Sequence, residues 1–145
     1  MTEEISDSRL PNKLGFDELA AKVTSAPFHR WMNLRLLALN ERDVVIEMPW
    51  RDEIVAEPTI GYAHGGLLAT LIDLTADYAI AAKLGRGVPT VDMRVDFHRP
   101  ALSGPLRTTG RVIKLGRTLA TAEAWVVDTA GKLLASGRAT FIVAT

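Results

Sequence analysis

Cysteine is absent from this 145-residue sequence, which excludes disulfides, cysteine nucleophiles and thiolate metal sites. Aromatic residues are scarce as well, at 6% of the chain, so they can line only a small part of any ligand pocket. Neither sign of charge is in excess, because 17 Lys and Arg balance 17 Asp and Glu. Nucleic-acid-binding proteins usually carry a marked basic excess, and the sequence therefore predicts no nucleic-acid partner.

Long apolar runs and paired histidines are also missing. No segment has the roughly 18 consecutive apolar residues of a membrane-spanning helix, and the polar N-terminus, MTEEISDSRLPNK, is unlike a signal peptide. The three histidines have neither the H-x-x-x-H nor the H-x-H spacing of metal ligands. We therefore expect a cytoplasmic protein that binds neither a membrane nor a metal.

Length and composition are those of an ordinary globular domain. The chain is 48% hydrophobic and 23% charged, and a chain of this size can bury roughly two-thirds of its unfolded surface around one core. We expect residues 1–13 to be a disordered N-terminal segment and residues 14–145 to form a single domain.

One stretch, residues 64–82, differs from the rest of the chain. Its sequence, HGGLLATLIDLTADYAIAA, is apolar over four or five helical turns, and Asp73 and Asp77 are its only charged residues. A helix that is apolar on all sides is normally buried, and a buried carboxylate is costly unless it is hydrogen-bonded or functional. The stretch therefore predicts a central helix with a glycine-rich start and one or two acids inside.

The spacing within this helix also bears on the number of chains in the site. His64 and Asp73 are nine residues apart, which is roughly half a turn net around the axis and about 13 Å along it. The two side chains of one helix therefore point away from each other. If both serve one site, two copies of the chain build it, which predicts a homodimer and leaves a dimer of dimers open.

The remaining periodicity predicts a short N-terminal helix and six strands. The helix spans residues 15–25 and the strands span residues 34–39, 44–48, 89–98, 106–115, 118–127 and 133–143, with a long loop at 50–63. Hairpin-length connections favour an antiparallel sheet, and one apolar helix has to be covered by it. The fold class is therefore α+β, with a sheet that covers a central helix.

Five motifs make the chain resemble a known family. They are Gly61-Tyr-Ala-His64-Gly65-Gly66 with Asp73, Thr90-Val-Asp92-Met93, Phe97-His-Arg-Pro100, Leu115-Gly116-Arg117-Thr118 and Gly131-Lys-Leu-Leu-Ala135. A six-stranded antiparallel sheet around one long helix is the hotdog fold, and over residues 26–143 the chain resembles the hotdog acyl-CoA thioesterases. The similarity is to the subgroup of phenylacetate-pathway and 4-hydroxybenzoyl-CoA enzymes.

The resemblance implies catalytic roles for the glycine-rich turn and the helix acid. Asp73 matches the carboxylate that acts on the thioester as general base or nucleophile. Gly65 or Gly66 matches the backbone N–H that polarises the thioester carbonyl, and His64 orients that turn or the substrate. In the family this site lies between two subunits, in agreement with the spacing argument.

The resemblance also implies substrate-binding residues. Thr90 matches a Ser or Thr near the attacking water, and Asp77 takes the place of a small hydroxyl residue, where it would tune Asp73 or contact a polar acyl group. Coenzyme A carries phosphates, for which the basic candidates are Arg99, Lys114, Arg117 and Arg138. The candidates for an acyl pocket are Phe28, Trp31, Met32 and Tyr62.

One position departs from the family pattern. Relatives often have Asn or Gln six residues before the histidine, whereas this chain has Pro58, flanked by Glu57 and Thr59. Either some other group, such as Thr59, holds the carbonyl or the water, or the activity is weak. The expected function is hydrolysis of an acyl-CoA to free acid and coenzyme A, without a further cofactor.

Alternatives to this function remain open. The missing Asn or Gln favours a non-catalytic acyl-CoA-binding hotdog protein, whereas a hotdog dehydratase usually has an H-F-P turn that this chain lacks. Structural roles are also open for the individual residues. Asp73 could be an acid hydrogen-bonded to backbone, the paired glycines could allow close packing, and the arginines could be solvated surface charges.

Overall fold

The computed structural model describes residues 7–144, which form three α-helices and six strands. The helices are α1 (Phe16–Val23), α2 (Pro27–Trp31) and α3 (Gly65–Leu84), and the strands are β1 (Arg35–Leu39), β2 (Val44–Met48), β3 (Thr90–Phe97), β4 (Leu106–Leu115), β5 (Leu119–Val127) and β6 (Leu133–Ile142). The predicted bounds agree with these within two residues. The short α2 was not predicted, because Pro27 ends one helix and also suits the first turn of the next.

The six strands form one antiparallel sheet in the order β1-β2-β4-β5-β6-β3. After β2 the chain passes through α3 and returns at the far edge of the sheet as β3, and β4 then pairs with β2. The sheet thus curls around α3, which contacts five of its strands. The predicted α+β hotdog fold, with one long central helix and a short N-terminal helix, is confirmed.

Helix α3 is buried over most of its surface, as its apolar sequence predicts. Twelve of its 20 residues are buried, so the helix belongs to the core. Its backbone comes close to the sheet at Gly110 in β4, where a Cβ atom would lie 2.5 Å from the carbonyl oxygen of Thr75. No helix in the described part of the chain combines the length and hydropathy of a membrane-spanning helix.

One stripe of α3 remains only partly covered. It contains Gly66, Thr70, Asp73 and Asp77, none of which is fully buried, and their spacing of four, three and four residues places them on one helix face. Both acids of the helix therefore lie along the face that the rest of the chain covers least.

Strand β3 forms an edge of the sheet and is largely exposed. On one side it pairs with β6, and no other strand of residues 7–144 pairs with its second side. Met93 and Val95 pack against the core, but Val91 is 54% and Phe97 57% exposed. The predicted half-buried strand is therefore right only for its middle.

Within the N-terminal segment that the sequence predicts to be disordered, residues 7–13 make contacts with the rest of the domain. The Asp7 carboxylate accepts a hydrogen bond from the Leu115 amide (2.7 Å), and the buried Lys83 ammonium donates one to the Leu10 carbonyl (2.6 Å). These contacts anchor the segment beside the end of α3. Residues 1–6 lie outside the described residues.

Candidate active site

Two backbone hydrogen bonds hold the residues that come directly before α3. The His64 amide donates to the Ile54 carbonyl, and the Ala63 amide donates to the Ala101 carbonyl, both at 2.8 Å. His64 is the N-cap residue, and its imidazole is exposed and makes no capping hydrogen bond. The helix start is therefore fixed by backbone, which leaves the His64 side chain available to a ligand.

The first two helical residues, Gly65 and Gly66, have amides that donate no hydrogen bond to another group in residues 7–144. Unpaired amides at a helix start carry a partial positive charge, which favours an anion or a developing oxyanion. A Cβ atom on Gly65 would lie 3.2 Å from the Phe97 ring, whereas one on Gly66 would meet nothing within 4 Å. Gly65 thus packs against the end of β3, and Gly66 faces open space.

Asp73 is paired with the first residue of β3. The Thr90 hydroxyl donates a hydrogen bond of 2.6 Å to Oδ1 of Asp73, and Asp73 is partly buried. The Oδ2 atom accepts no hydrogen bond from the described residues, and neither oxygen accepts one from a backbone amide. The structural alternative, an acid hydrogen-bonded to backbone, therefore does not describe Asp73.

Asp77 lies one turn after Asp73 on the same face of α3. Its Oδ1 atom accepts a hydrogen bond from the Val88 amide at 3.0 Å. Burial raises the pKa of Asp77 to about 6, the negative charge of Asp73 raises it as well, and the Val88 hydrogen bond opposes them. The two acids thus interact electrostatically, while one oxygen of Asp77 is occupied by backbone.

Within one chain the glycine-rich turn and Asp73 lie at opposite ends of β3. Gly65 contacts Phe97, the last residue of this strand, and Asp73 contacts Thr90, its first residue. The eight residues of β3 span roughly 23 Å, and Gly65 and Asp73 are themselves about 12 Å apart along the axis of α3. The site residues therefore fall into two half-sites, one beside Phe97 and one beside Thr90.

A cavity of about 370 Å³ adjoins the half-site at Gly65, and its lining is mostly apolar. It is formed by Tyr62, Ala63, Gly65, Leu68, Phe97, His98, Arg99, Pro100 and Ala101. A larger cavity, of about 440 Å³, is lined mainly by charged and polar side chains that include Asp92, Arg94 and Arg138. It lies on the face of the sheet away from α3, so the smaller cavity is the one beside the candidate chemistry.

The other predicted site residues are distributed around these half-sites. Arg117 is exposed in the turn between β4 and β5, and the backbone bonds of the adjoining residues place this turn at the same end of the sheet as Thr90. Thr59 is exposed in the turn that follows Glu57. Neither Thr59 nor Arg117 lines the cavity beside Gly65, whereas Tyr62 does.

The four residues predicted for an acyl pocket do not converge. Met32 is fully buried in the core, and Phe28 and Trp31 are 51% and 41% exposed. Their rings stack on the outside of α2, with the Arg51 guanidinium 4.1 Å from the Trp31 ring. Of the four candidates only Tyr62 lines the cavity.

Two features of the site were missed by the sequence interpretation. Phe97 and the following residues His98 and Arg99 form one wall of the cavity, and the Val88 amide is the partner of Asp77. The F-H-R-P motif was a signal for the first feature, but its contact with Gly65 depends on strand order. Among residues 7–144, no three His, Asp or Glu side chains are close enough to hold a metal ion.

The sequence matches a known protein family over about half of its length. The family model of the thioesterase superfamily matches residues 60–135 of this chain. Mouse acyl-coenzyme A thioesterase 13 is 33% identical over 130 residues, which cover 87% of this chain and 83% of the mouse protein.

Solved structures are similar over most of the chain. An X-ray structure of a protein from the thioesterase superfamily superposes with a TM-score of 0.86 at 45% identity, covering 88% of this chain and 96% of the other. The crystal structure of zebrafish thioesterase superfamily member 2 superposes with a TM-score of 0.75 at 30% identity, covering 87% and 94%.

Proposed function

This chain belongs to the thioesterase superfamily and is a thioester hydrolase, and we propose that it hydrolyses acyl-CoA with Asp73 as its catalytic carboxylate. The observation that carries this proposal is the Asp73–Thr90 pair at 2.6 Å on the open stripe of a buried helix. Thr90 holds one carboxylate oxygen, and the other has no partner in the described part of the chain. That free oxygen can take a proton from water, as a general base, or attack the thioester, as a nucleophile.

The oxyanion that forms on the thioester carbonyl needs hydrogen-bond donors. The amides of Gly65 and Gly66 have no partner among residues 7–144, and the open space at Gly66 lets a carbonyl approach them. The exposed His64 imidazole orients the substrate beside them. Cleavage then releases the free acid and the coenzyme A thiol.

The two half-sites meet if two copies of the chain pair through β3. A two-fold axis across this edge makes the two copies of β3 antiparallel, so that the Thr90 end of one strand lies beside the Phe97 end of the other. Asp73 of one protomer then faces Gly65 of its partner. Exposed Val91 and Phe97 support this interface, because pairing covers apolar surface on an edge that is otherwise open.

The same pairing gathers the substrate-binding groups. The cavity beside Gly65 receives the acyl group, with Tyr62 and Phe97 in its wall. Arg99 adjoins this cavity and Arg117 lies at the Thr90 end of the sheet, so a dimer brings both toward one site. Guanidinium groups bind phosphate oxygens well, which suits the phosphates of coenzyme A.

The first experiment measures free-thiol release from a panel of aliphatic and aromatic acyl-CoAs, with the wild type and Asp73→Asn. We expect turnover of at least one substrate by the wild type and its loss in the variant. The matched control is Asp17→Asn, an exposed acid in the first turn of α1, which should retain wild-type activity. An active Asp73→Asn variant would contradict the assigned role.

Subunit mixing tests whether the site is shared. We expect Asp73→Asn and Gly66→Val to be inactive alone, because each removes one half-site from both composite sites. After unfolding and refolding together, heterodimers contain one intact site, so the mixture should regain about a quarter of wild-type activity. No recovery in a mixture shown to contain heterodimers would place both half-sites in one chain.

A non-catalytic acyl-CoA-binding protein is the second candidate. Pro58 favours it, because proline has neither the carbonyl-binding amide nor the water-binding oxygen of an Asn or Gln side chain. Calorimetric binding of acyl-CoA without thiol release across the whole panel would establish this function in place of hydrolysis.

A further inference from the structure

The segment that joins α3 to β3 is held by both acids of the helix. Asp77 accepts a hydrogen bond from the Val88 amide at 3.0 Å, and two residues later the Thr90 hydroxyl donates to Asp73 at 2.6 Å. Between them, the Pro89 carbonyl accepts a hydrogen bond from the Ile142 amide at 3.0 Å. Asp77 therefore helps to determine the path of the backbone that carries Thr90.

The position of the Thr90 hydroxyl is sensitive to that path. A threonine side chain is stiff at χ1, so its hydroxyl moves with the backbone of β3 instead of compensating through rotation. A shift of about 1 Å would break a hydrogen bond of this length and can lower a catalytic rate by about a hundredfold. An anchor two residues before Thr90 thus controls the orientation of the Asp73 carboxylate.

The placement of Asp77 is costly for the fold. Burial and the neighbouring negative charge of Asp73 both raise its pKa, so the ionised form is held in an unfavourable environment at neutral pH. Acids placed at such a cost are more frequent in functional sites than elsewhere. A role in the site explains the acid better than stability does.

We propose that Asp77 is a positioning residue, whose carboxylate fixes the Val88 amide so that the Thr90 hydroxyl meets Asp73. It acts on hydrolysis through Thr90 and does not contact the acyl group, in contrast to the polar contact expected from the resemblance. This role rests on the proposed function, because it presumes that Asp73 is the catalytic carboxylate.

A double-mutant cycle with Thr90 tests this role. In the wild-type background, Asp77→Ala should lower kcat about tenfold or more and change KM less than about twofold. In a Thr90→Val background the same substitution should change kcat less than about twofold, because the group through which Asp77 acts is gone. If Asp77→Ala lowers kcat by the same factor in the wild-type and the Thr90→Val backgrounds, the proposal is overturned.

Asp77→Asn is the matched conservative variant. Its side-chain oxygen can accept the same hydrogen bond from Val88 without the charge, so we expect it to retain most of the wild-type kcat. If Asp77→Asn loses as much kcat as Asp77→Ala, then Asp77 acts through its charge and not by holding the Val88 amide, and the proposal is overturned. Both variants are compared by thermal unfolding, so that an unfolded Asp77→Ala protein is recognised and Asp77→Asn carries the test.

Amide hydrogen exchange at Val88 provides a readout without turnover. Protection of this amide should fall in Asp77→Ala and persist in Asp77→Asn, whatever the substrate is. A wild type without thioesterase activity, but with this exchange pattern, would overturn the proposed function and retain the anchor. An active wild type whose Asp77→Ala variant keeps its kcat would overturn the positioning role alone.

Discussion

Replacing Asp77 by Asn should make the protein more stable above about pH 6 and leave it almost unchanged in acid. Burial raises the pKa of Asp77 from 3.8 to about 6, and each tenfold change in an acid dissociation constant corresponds to about 1.4 kcal/mol. Ionisation of this one side chain therefore costs the folded state about 3 kcal/mol relative to the unfolded chain at neutral pH. Asn removes the charge and keeps an acceptor for the Val88 amide.

The direction of this pH dependence follows from how tightly the folded and the unfolded chain bind the proton of Asp77. Below about pH 3 the carboxyl group is protonated in both the folded and the unfolded chain, and no penalty exists. Between about pH 4 and pH 6 the folded chain holds the proton more tightly, so the free energy of unfolding of the wild type falls as pH rises. The advantage of Asp77→Asn should therefore grow from near zero at about pH 3 to about 3 kcal/mol at about pH 7.

Urea or thermal unfolding of both proteins across this pH range measures the difference. For a chain of this length, 3 kcal/mol corresponds to a gap of about 10 °C in Tm at neutral pH. Asp17→Asn, on the exposed surface of α1, serves as control and should show no such dependence. An Asp77→Asn advantage that is constant with pH, or that grows toward acid, would refute the reasoning.

Three further substitutions test the packing and the candidate site. Gly110→Ala should lower the free energy of unfolding by about 1–3 kcal/mol in urea titrations, because its methyl group would lie 2.5 Å from the Thr75 carbonyl oxygen; unchanged stability would contradict the close approach. Lys83→Met should lower the free energy of unfolding by about 1–3 kcal/mol, because the carbonyl oxygens of Leu10 and Glu41 lose their buried ammonium donor. Limited proteolysis should then cut the segment before α1 faster than in the wild type. Gly66→Ala should leave Tm within a few degrees of wild type, because its methyl group would meet nothing within 4 Å. Thiol release should fall at least about tenfold, because the methyl group would fill the space through which the substrate carbonyl approaches the amide. Full activity would show that Gly66 is not part of the oxyanion site.

Much of the fold is predictable from local pattern in this chain. The alternation of Val44, Ile46 and Met48 predicted the buried face of β2, and all three are buried. The apolar stretch after His64 predicted a buried helix, and α3 is that helix. These predictions succeed because side-chain periodicity and backbone geometry are properties of neighbouring residues.

The candidate site was predictable only in its residue types. The sequence by itself determined that an acid and a glycine-rich turn lie on one apolar helix, with His64 and Asp73 on opposite sides of it and about 13 Å apart along its axis. It did not determine that Asp73 meets Thr90 or that Gly65 meets Phe97. Those contacts depend on β3 lying at the sheet edge beside α3, which is decided by long-range strand pairing.

Tertiary structure alone also decided which apolar and charged groups are buried. Phe97 has the alternation of a core residue but is 57% exposed, because no strand of residues 7–144 pairs with the outer side of β3. Lys83 is buried although lysine is normally exposed, because three acceptors from the N-terminal segment and the β1–β2 turn surround its ammonium group. Burial depends on what the rest of the chain brings to a residue, and a local sequence pattern does not contain that information.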